Sequence, residues 1–545
     1  MAKKTAVIII HGIGEQVPME TLNEFVDTVW TRDLSLAGAG KPDPNTGEVR
    51  SKNASWSKPD ARNRSFELQL VTTESDFDGR RVDFFEYYWA HRVTGTTWEQ
   101  VRAWLFGLML RNPFTNIPKG VMPAWTVMWL VFFAFLYISL IAGMAVSKDV
   151  VDPASASFPP VHGTLALAAW VQAWPRQLIA VVWGVAGLVL GWILKIMVDV
   201  AGDVVRYVQA TPKNIAIRQS IRENGVQLLE TLMGVNENGT QGPTEYDRII
   251  VVGHSLGTIV AYDILTHAFG RHNTRLDPAK VKGMTQENRV ALEELVRQAY
   301  LDPGKTIPQD VYGALQDACR EELTAIGNPW IVSDFISLGS PLTHAEFLMA
   351  ADRHALALAK EKRILPSCPP ALEFDQKTGQ LHFTYRTRGV SREGDSHDVE
   401  APRMPHHAAL FAYTRWTNIY SPLVGVLLGD IVSGPVGGQF GLDRKDNAPP
   451  VSCIHDIAVL PCAPTEAGAA EQDRKRRVLT HLRYWDRGYA RGRAGADEPF
   501  HISALRDALD LGRRRRPPPV AAPAAPSAPP TSLVPRTPGA REEEA

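Results

Sequence analysis

The sequence predicts an α/β fold: a mainly parallel sheet with helices on both faces, interrupted by an inserted pair of apolar helices. Three observations carry this. Short β-branched runs alternate with helical periodicity along most of the chain, which is the pattern of strands joined by crossover helices. One such run enters a Gly-x-Ser-x-Gly turn, and a helical pattern leaves it. Two long uncharged stretches break the alternation between residues 121 and 198.

The first strand is expected over 6–10, a β-branched run that stops at His11-Gly12. An amphipathic helix follows over 19–31. Residues 34–63, rich in Gly, Pro, Asn, Ser and Lys, read as a surface excursion. Further strands are expected over 66–72, 82–88, 248–252, 330–338, 381–385 and 452–460, with helices over 204–232 and 256–269 between them. No repeat period is visible. The layout is a first half-domain over 1–120, an insertion over 121–198, a second half-domain over 199–512 and a tail over 513–545. That tail begins RRRRPPPVAAPAAPSAPP and is expected to be disordered, because it lacks the apolar residues that offset ordering entropy.

The bulk numbers exclude some classes. With 58 basic against 59 acidic residues, the chain has no general attraction for nucleic acid. Four cysteines (Cys319, Cys368, Cys453 and Cys462) lack CxxC spacing, so neither a disulfide framework nor a structural zinc site is expected.

The insertion holds the two uncharged stretches. Residues 121–146 would reach roughly 35–39 Å as a helix, against about 30 Å of hydrocarbon. Residues 177–194 are also uncharged, and the apolar character runs past Lys195 to Val198. Trp125, Trp129, Trp174 and Trp183 stand toward segment ends, as in an aromatic belt. The expectation is a two-helix transmembrane hairpin. The alternatives are a pair of buried core helices or, for the second stretch, a helix lying in the interface. Arg111, Lys119, Lys195, Arg206 and Lys213 flank the pair, whereas the link at 147–162 carries Lys148 against Asp149 and Asp152. Both outer flanks are therefore expected on the cytoplasmic side, with the rest of the protein facing the cytoplasm from the membrane.

The sharpest signal is DRIIVVGHSLGTIVAYDIL. Here Gly253-His254-Ser255-Leu256-Gly257 occupies a strand–turn–helix context, in which the serine sits on a strained turn. Gly253 and Gly257 relieve crowding there. The Ser255 hydroxyl is expected to stand exposed above the strand ends. The Leu256 amide, at a helix N-terminus, would face a developing oxyanion. A second donor is expected from the loop His11-Gly12-Ile13-Gly14-Glu15, through the amide of Ile13 or Gly14. The alternative is a plain turn with His11 packed beneath the site.

A base and an acid should follow the serine, acid before base in chain order. Among His344, His406, His407, His455, His481 and His501, the base is expected at His481, beyond the last strand and before a final helical stretch. His344 follows a strand-end turn and could contact substrate. The acid is expected at Asp430, in a turn-rich loop with Ser433, Gly434 and Pro435. Its rivals are Asp443, Asp456, Asp395 and Asp398, while Asp334 begins its strand and so lies at the wrong edge.

These residues resemble the α/β-hydrolase superfamily in its lipase and esterase branch, across 5–490 without the insertion. GHSLGTIVAYDIL is also similar to the nucleophile segment of DDHD-type intracellular phospholipases. ISLGSPL resembles the strand-end segment after the nucleophile helix of many lipases. RWTNIYSP, GDIVSGP and HLRYW resemble a group of uncharacterised bacterial hydrolase-like proteins. The resemblance implies ester hydrolysis through an acyl-enzyme on Ser255, with His481 and Asp430 as base and acid and no metal or cofactor. The expected partners are the lipid bilayer and an ester or acyl-lipid substrate. Two other readings stay open: a membrane-anchored binding protein that has lost catalysis, and an esterase for soluble esters.

Overall fold

A computed structural model of the chain describes residues 4–512 apart from 14–16, 34, 37–41, 43–45, 49–51, 64, 77, 93–106, 108, 115–116, 118–121, 147–150, 180, 186, 189–205, 209–210, 213, 282–284, 387–401, 424–428, 445–447, 460–479 and 487–498. The expected tail at 513–545, the rival acids Asp395 and Asp398, and Gly14 therefore lie outside the described residues.

The centre is an eight-stranded sheet. Its strands are β1 (Lys4–Ile10), β2 (Ser55–Pro59), β3 (Gln69–Thr73), β4 (Arg81–Tyr87), β5 (Tyr246–His254), β6 (Val332–Leu338), β7 (Arg415–Tyr420) and β8 (His455–Ala458), in the spatial order β8-β7-β6-β5-β1-β4-β3-β2. Neighbours from β8 to β4 are parallel, and β3 and β2 add an antiparallel edge. Strands on both sides of the insertion thus share one sheet.

The β1 sequence shows why the sheet is covered twice. Ala6, Ile8 and Ile10 enter one core, and Val7 and Ile9 enter the other. A strand buried on both faces reads as a continuous apolar run. On the first face pack α4 (Ile215–Leu232), α5 (Gly257–His272), α6 (Glu287–Leu301) and α7 (Gln309–Ala325). On the second lie α1 (Glu20–Val26), which continues as a wider turn through Thr31, and α8 (Phe500–Leu509). Each fully buried Leu, Ile, Val or Phe contributes about 1.5–3 kcal/mol.

Two strands escape the pattern reading. β2 falls within the expected excursion at 34–63, and its mostly exposed edge position leaves it no apolar alternation. β7 carries buried polar residues instead of a pure apolar run. Its Asn418 amide donates to Asp456 at 2.7 Å, and Asn418 Oδ1 accepts from Ser337 at 2.9 Å. The expected strand at 381–385 divides into Gln380–His382 and Thr384–Arg386, which pair in two small hairpins outside the main sheet.

In the insertion, α2 (Met122–Val146) is the one described helix long and apolar enough to cross a membrane unbroken. Over Met128–Val146 its mean hydropathy is 2.3 and only 11% of the most apolar window is buried, so its sides are not those of a core helix. Ile141 and Ala145 pack on Ala168 and Val171 of α3 (Pro159–Gln172). The second apolar stretch, expected over 177–194, is helical over Arg176–Val185, and its remainder from 189 to 198 lies outside the described residues. Helix begins earlier, within the expected polar link, and α3 bends by 112° into the segment Arg176–Val185. Pro175 at the break removes a backbone donor and ends the helix before it.

Candidate active site

The site lies at the C-terminal edge of the parallel strands, where β5 turns into α5. Ser255 has φ 53°, in the left-handed region. Neighbouring structure holds this strained turn. The Ser255 amide donates to the Leu338 carbonyl at 2.9 Å, and its carbonyl accepts from the Thr258 hydroxyl at 2.8 Å. Glycine is required on either side. A Cβ on Gly253 would stand 2.7 Å from Thr258 Cα, and one on Gly257 would stand 2.3 Å from the Ile10 carbonyl oxygen. Leu256 caps α5, so its amide belongs to the first-turn donors that have no acceptor within the helix.

The β1 loop closes over the serine. A Cβ on Gly12 would meet Ser255 Cβ at 2.8 Å, which brings the Gly12–Ile13 backbone against the Ser255 turn. His11 is stacked on Trp89 with ring planes 3° apart. Its Nδ1 lies 2.9 Å from the Gly12 carbonyl, and its Nε2 accepts from the Trp89 amide at 3.2 Å. Burial pushes this imidazole down to about 4, so it is a neutral brace beneath the loop. Ser255 itself is only 4% exposed, less than the raised hydroxyl expected from sequence. Gly12 packs on one side of it and an imidazole covers its oxygen, while that imidazole's side chain keeps 18% exposure.

That imidazole is His481, in the short turn Thr480–Leu482. Its Nε2 lies 2.8 Å from Ser255 Oγ, and its Nδ1 lies 2.9 Å from Asp430 Oδ2. A carboxylate accepts, so Nδ1 carries the proton and Nε2 is left to accept from the serine hydroxyl. His254, beside the serine, donates from Nε2 to the His481 carbonyl at 2.8 Å. Burial, reinforced by the His481 charge, pushes His254 down to about 3, so it holds the His481 backbone as a neutral donor.

Asp430 is buried on the loop after β7. Gly429 precedes it at φ 101°, where a Cβ would lie 2.2 Å from the Pro422 carbonyl oxygen. Oδ1 accepts from the Val432 amide at 2.9 Å; Oδ2 accepts from His481 and, at 2.7 Å, from the Tyr484 hydroxyl. Burial alone would raise this carboxyl. The His481 bond and charge outweigh it, aided by the Tyr484 and Ser433 hydroxyls, and hold it at about 2.

Most of the rivals among the described residues are held elsewhere. Asp443 pairs with Lys360 at 2.8 Å. Asp456 accepts from the Val436 and Gly437 amides, and Asp334 pairs with Arg248 at 2.7 Å near the start of β6. His406 reaches the Ala371 carbonyl, His407 that of Arg363 and His501 that of Asp486. His455 opens β8 on its exposed side. His344 does lie by the site, but its Nε2 points to the Ile431 carbonyl at 3.4 Å. With Thr343, whose hydroxyl donates to the Pro435 carbonyl at 3.0 Å, it fastens the acid loop to the end of β6.

Two contributors were not assigned from sequence. Gly339, at the end of β6 with φ 59°, leaves the space in which the acid, the imidazole and Tyr484 meet. A Cβ there would stand 2.6 Å from the Tyr484 ring and 3.3 Å from both Asp430 Oδ2 and His481 Cε1. Tyr484 follows His481 by three residues, just beyond the Thr480–Leu482 turn. Among the described residues, no group of three or more His, Cys, Asp or Glu could hold a metal ion. Comparison of the chain with protein-family models, with curated proteins and with solved structures gives no match.

Proposed function

We propose that this chain is a membrane-associated serine hydrolase of the α/β-hydrolase type that cleaves carboxylic esters, with acyl lipids as the substrate class. One observation carries the reading: a continuous relay from Ser255 Oγ through His481 to Asp430, with bonds of 2.8 and 2.9 Å, built on a strained strand–turn–helix. The three residues arrive from segments separated by up to 226 positions, which incidental surface contacts do not explain.

His481 Nε2 takes the hydroxyl proton as Ser255 Oγ attacks the ester carbonyl. The tetrahedral oxyanion is held by the Leu256 amide and by that of Ile13 or Gly14. Asp430 stays ionised and stabilises the imidazolium across Nδ1–H. Collapse breaks the ester C–O bond, and His481 passes its proton to the departing alcohol. Water, deprotonated by His481, then attacks the acyl-enzyme, releasing the acid and restoring the serine. This chemistry calls for no cofactor.

The membrane part rests on α2, whose 25 residues would run about 38 Å against about 30 Å of hydrocarbon. Leu130, Val131, Phe133 and Leu140 are each more than half exposed along it. Because strands before and after the insertion share one sheet, the insertion enters and leaves the bilayer on the same side, and the basic flanks favour the cytoplasm. The foot of α2 is tied near the site. Trp129 Nε1 donates to the Met109 carbonyl at 3.2 Å, and Arg111 sits 4.5 Å from the ring of Phe347, just beyond His344. An ester lipid in that bilayer meets the site at high effective concentration.

The test is turnover by full-length protein in nanodiscs, using a short-chain ester and an ester phospholipid, beside Ser255→Ala and a deletion of 121–198. The expectation is loss of both activities in Ser255→Ala and selective loss of lipid turnover in the deletion. Equal turnover by wild type and Ser255→Ala overturns the proposal.

A further inference from the structure

The relay holds a group that the mechanism above does not use. Tyr484 is fully buried, and its hydroxyl donates to Asp430 Oδ2 at 2.7 Å, the same oxygen that accepts from His481. That hydroxyl accepts from the Ser421 amide at 3.1 Å and lies 2.9 Å from Ser433 Oγ. It is thereby fixed by two segments, the end of β7 and the acid loop. The ring packs over Gly339, where a Cβ would leave it no room.

We propose that Tyr484 is a positioning residue of the relay, whose hydroxyl locks the Asp430 carboxylate toward His481 and shares its negative charge. This rests on the reading of Ser255 as the nucleophile. Two donors on one carboxylate oxygen each take part of its charge. The phenol therefore weakens the pull of Asp430 on the imidazole proton and keeps His481 available as a base at lower pH. Burial and the Asp430 charge push the phenol well above its ordinary value, so it remains a donor over the whole working range. Its place three residues after His481 lets one short segment deliver both partners of the carboxylate.

The experiment measures the rate of fluorophosphonate labelling against pH for wild type, Tyr484→Phe and Ser433→Ala, with Ser255→Ala as the blank. The phenylalanine variant keeps the ring and loses only the hydroxyl. Its acid limb is expected to move up by roughly 0.5–1 pH unit, as expected for losing one hydrogen bond to a charged partner. Labelling at pH 6 then falls several-fold relative to the plateau. Ser433→Ala, which removes support for the phenol, is expected to shift the limb the same way by less. A Tyr484 whose ring only fills space would leave the limb in place in the phenylalanine variant, whatever happens to the plateau or the melting temperature, and that result overturns the inference. Should Tyr484→Phe fail to fold, an unmoved limb in Ser433→Ala overturns it equally. Absence of Ser255 labelling in wild type overturns both this inference and the hydrolase reading. A labelled wild type with unmoved limbs overturns the inference alone.

Discussion

Replacing Asp430 by asparagine tests the relay at its least accessible member. The carboxylate serves two oxygens differently: Oδ1 accepts from the Val432 amide, and Oδ2 accepts from His481 and Tyr484. An asparagine has one oxygen for these two places. If its oxygen faces His481, its NH2 opposes the Val432 N–H at 2.9 Å, and the imidazolium loses its counter-charge. For charges about 4 Å apart at an effective dielectric near 20, that counter-charge is worth about 4 kcal/mol, or roughly 10³ in rate. If instead the NH2 faces His481, Nδ1 must accept, and Nε2 then carries its hydrogen toward Ser255 and cannot act as base. The wrong tautomer costs roughly 10⁴ in triads of this kind. Both orientations predict a loss of about 10³- to 10⁴-fold in kcat for a soluble p-nitrophenyl ester, with the fold retained by circular dichroism. Activity within threefold of wild type would show that Asp430 does not serve His481, and would refute the reasoning.

Three further outcomes follow from the geometry. Glu86 is fully buried and burial pushes it from 4.5 up to about 7, although its Oε2 accepts from the Met19 amide. The folded state binds this proton more tightly than the unfolded chain, so its contribution is intact below 4.5 and is lost as pH rises through about 7. Glu86→Gln should therefore gain up to about 3 kcal/mol on wild type between pH 5 and pH 8, measured as the pH dependence of the melting-temperature difference; a constant difference contradicts it. Gly339→Ala must place a Cβ 2.6 Å from the Tyr484 ring at φ 59°, so kcat should fall at least about tenfold, with about 1–2 kcal/mol lost to the left-handed backbone alone; unchanged kcat would mean the ring moves freely. Ala154→Cys, on the link between α2 and α3, should react with a membrane-impermeant maleimide from outside intact cells, and reaction only after lysis would show that the insertion does not cross.

The parts of this arrangement that were legible in sequence are those where chemistry constrains residue type locally. β1 and β5 announce themselves as β-branched runs because both faces are buried, and the turn at Ser255 needs glycine at 253, where a Cβ would crowd Thr258 only a few residues on. His481 and Asp430 could be proposed from chain order and turn chemistry, with rivals left standing. Only three dimensions dispose of those rivals, since Asp456 and Asp443 carry the same functional group and differ in what surrounds them. β7 was hidden because polar Thr417 and Asn418 stand between its buried Trp416 and Ile419, with Asn418 satisfied by Ser337 and Asp456 on neighbouring strands. β2 was hidden because an exposed edge strand has no apolar face to display. Long-range steric needs leave no local trace either. The demand for glycine at 339 comes from Tyr484, which lies well over a hundred residues later.

The central claim is that the hydroxyl of Ser255 is a nucleophile made reactive by His481. Its most direct measurement is peptide mapping by mass spectrometry after a fluorophosphonate probe has reacted with the full-length protein at pH 8. The account predicts one stoichiometric adduct, on the peptide containing Ser255, lost in Ser255→Ala and slowed by orders of magnitude in His481→Ala. An unmodified Ser255 in folded protein, or an adduct that survives the His481 substitution at the wild-type rate, would contradict it.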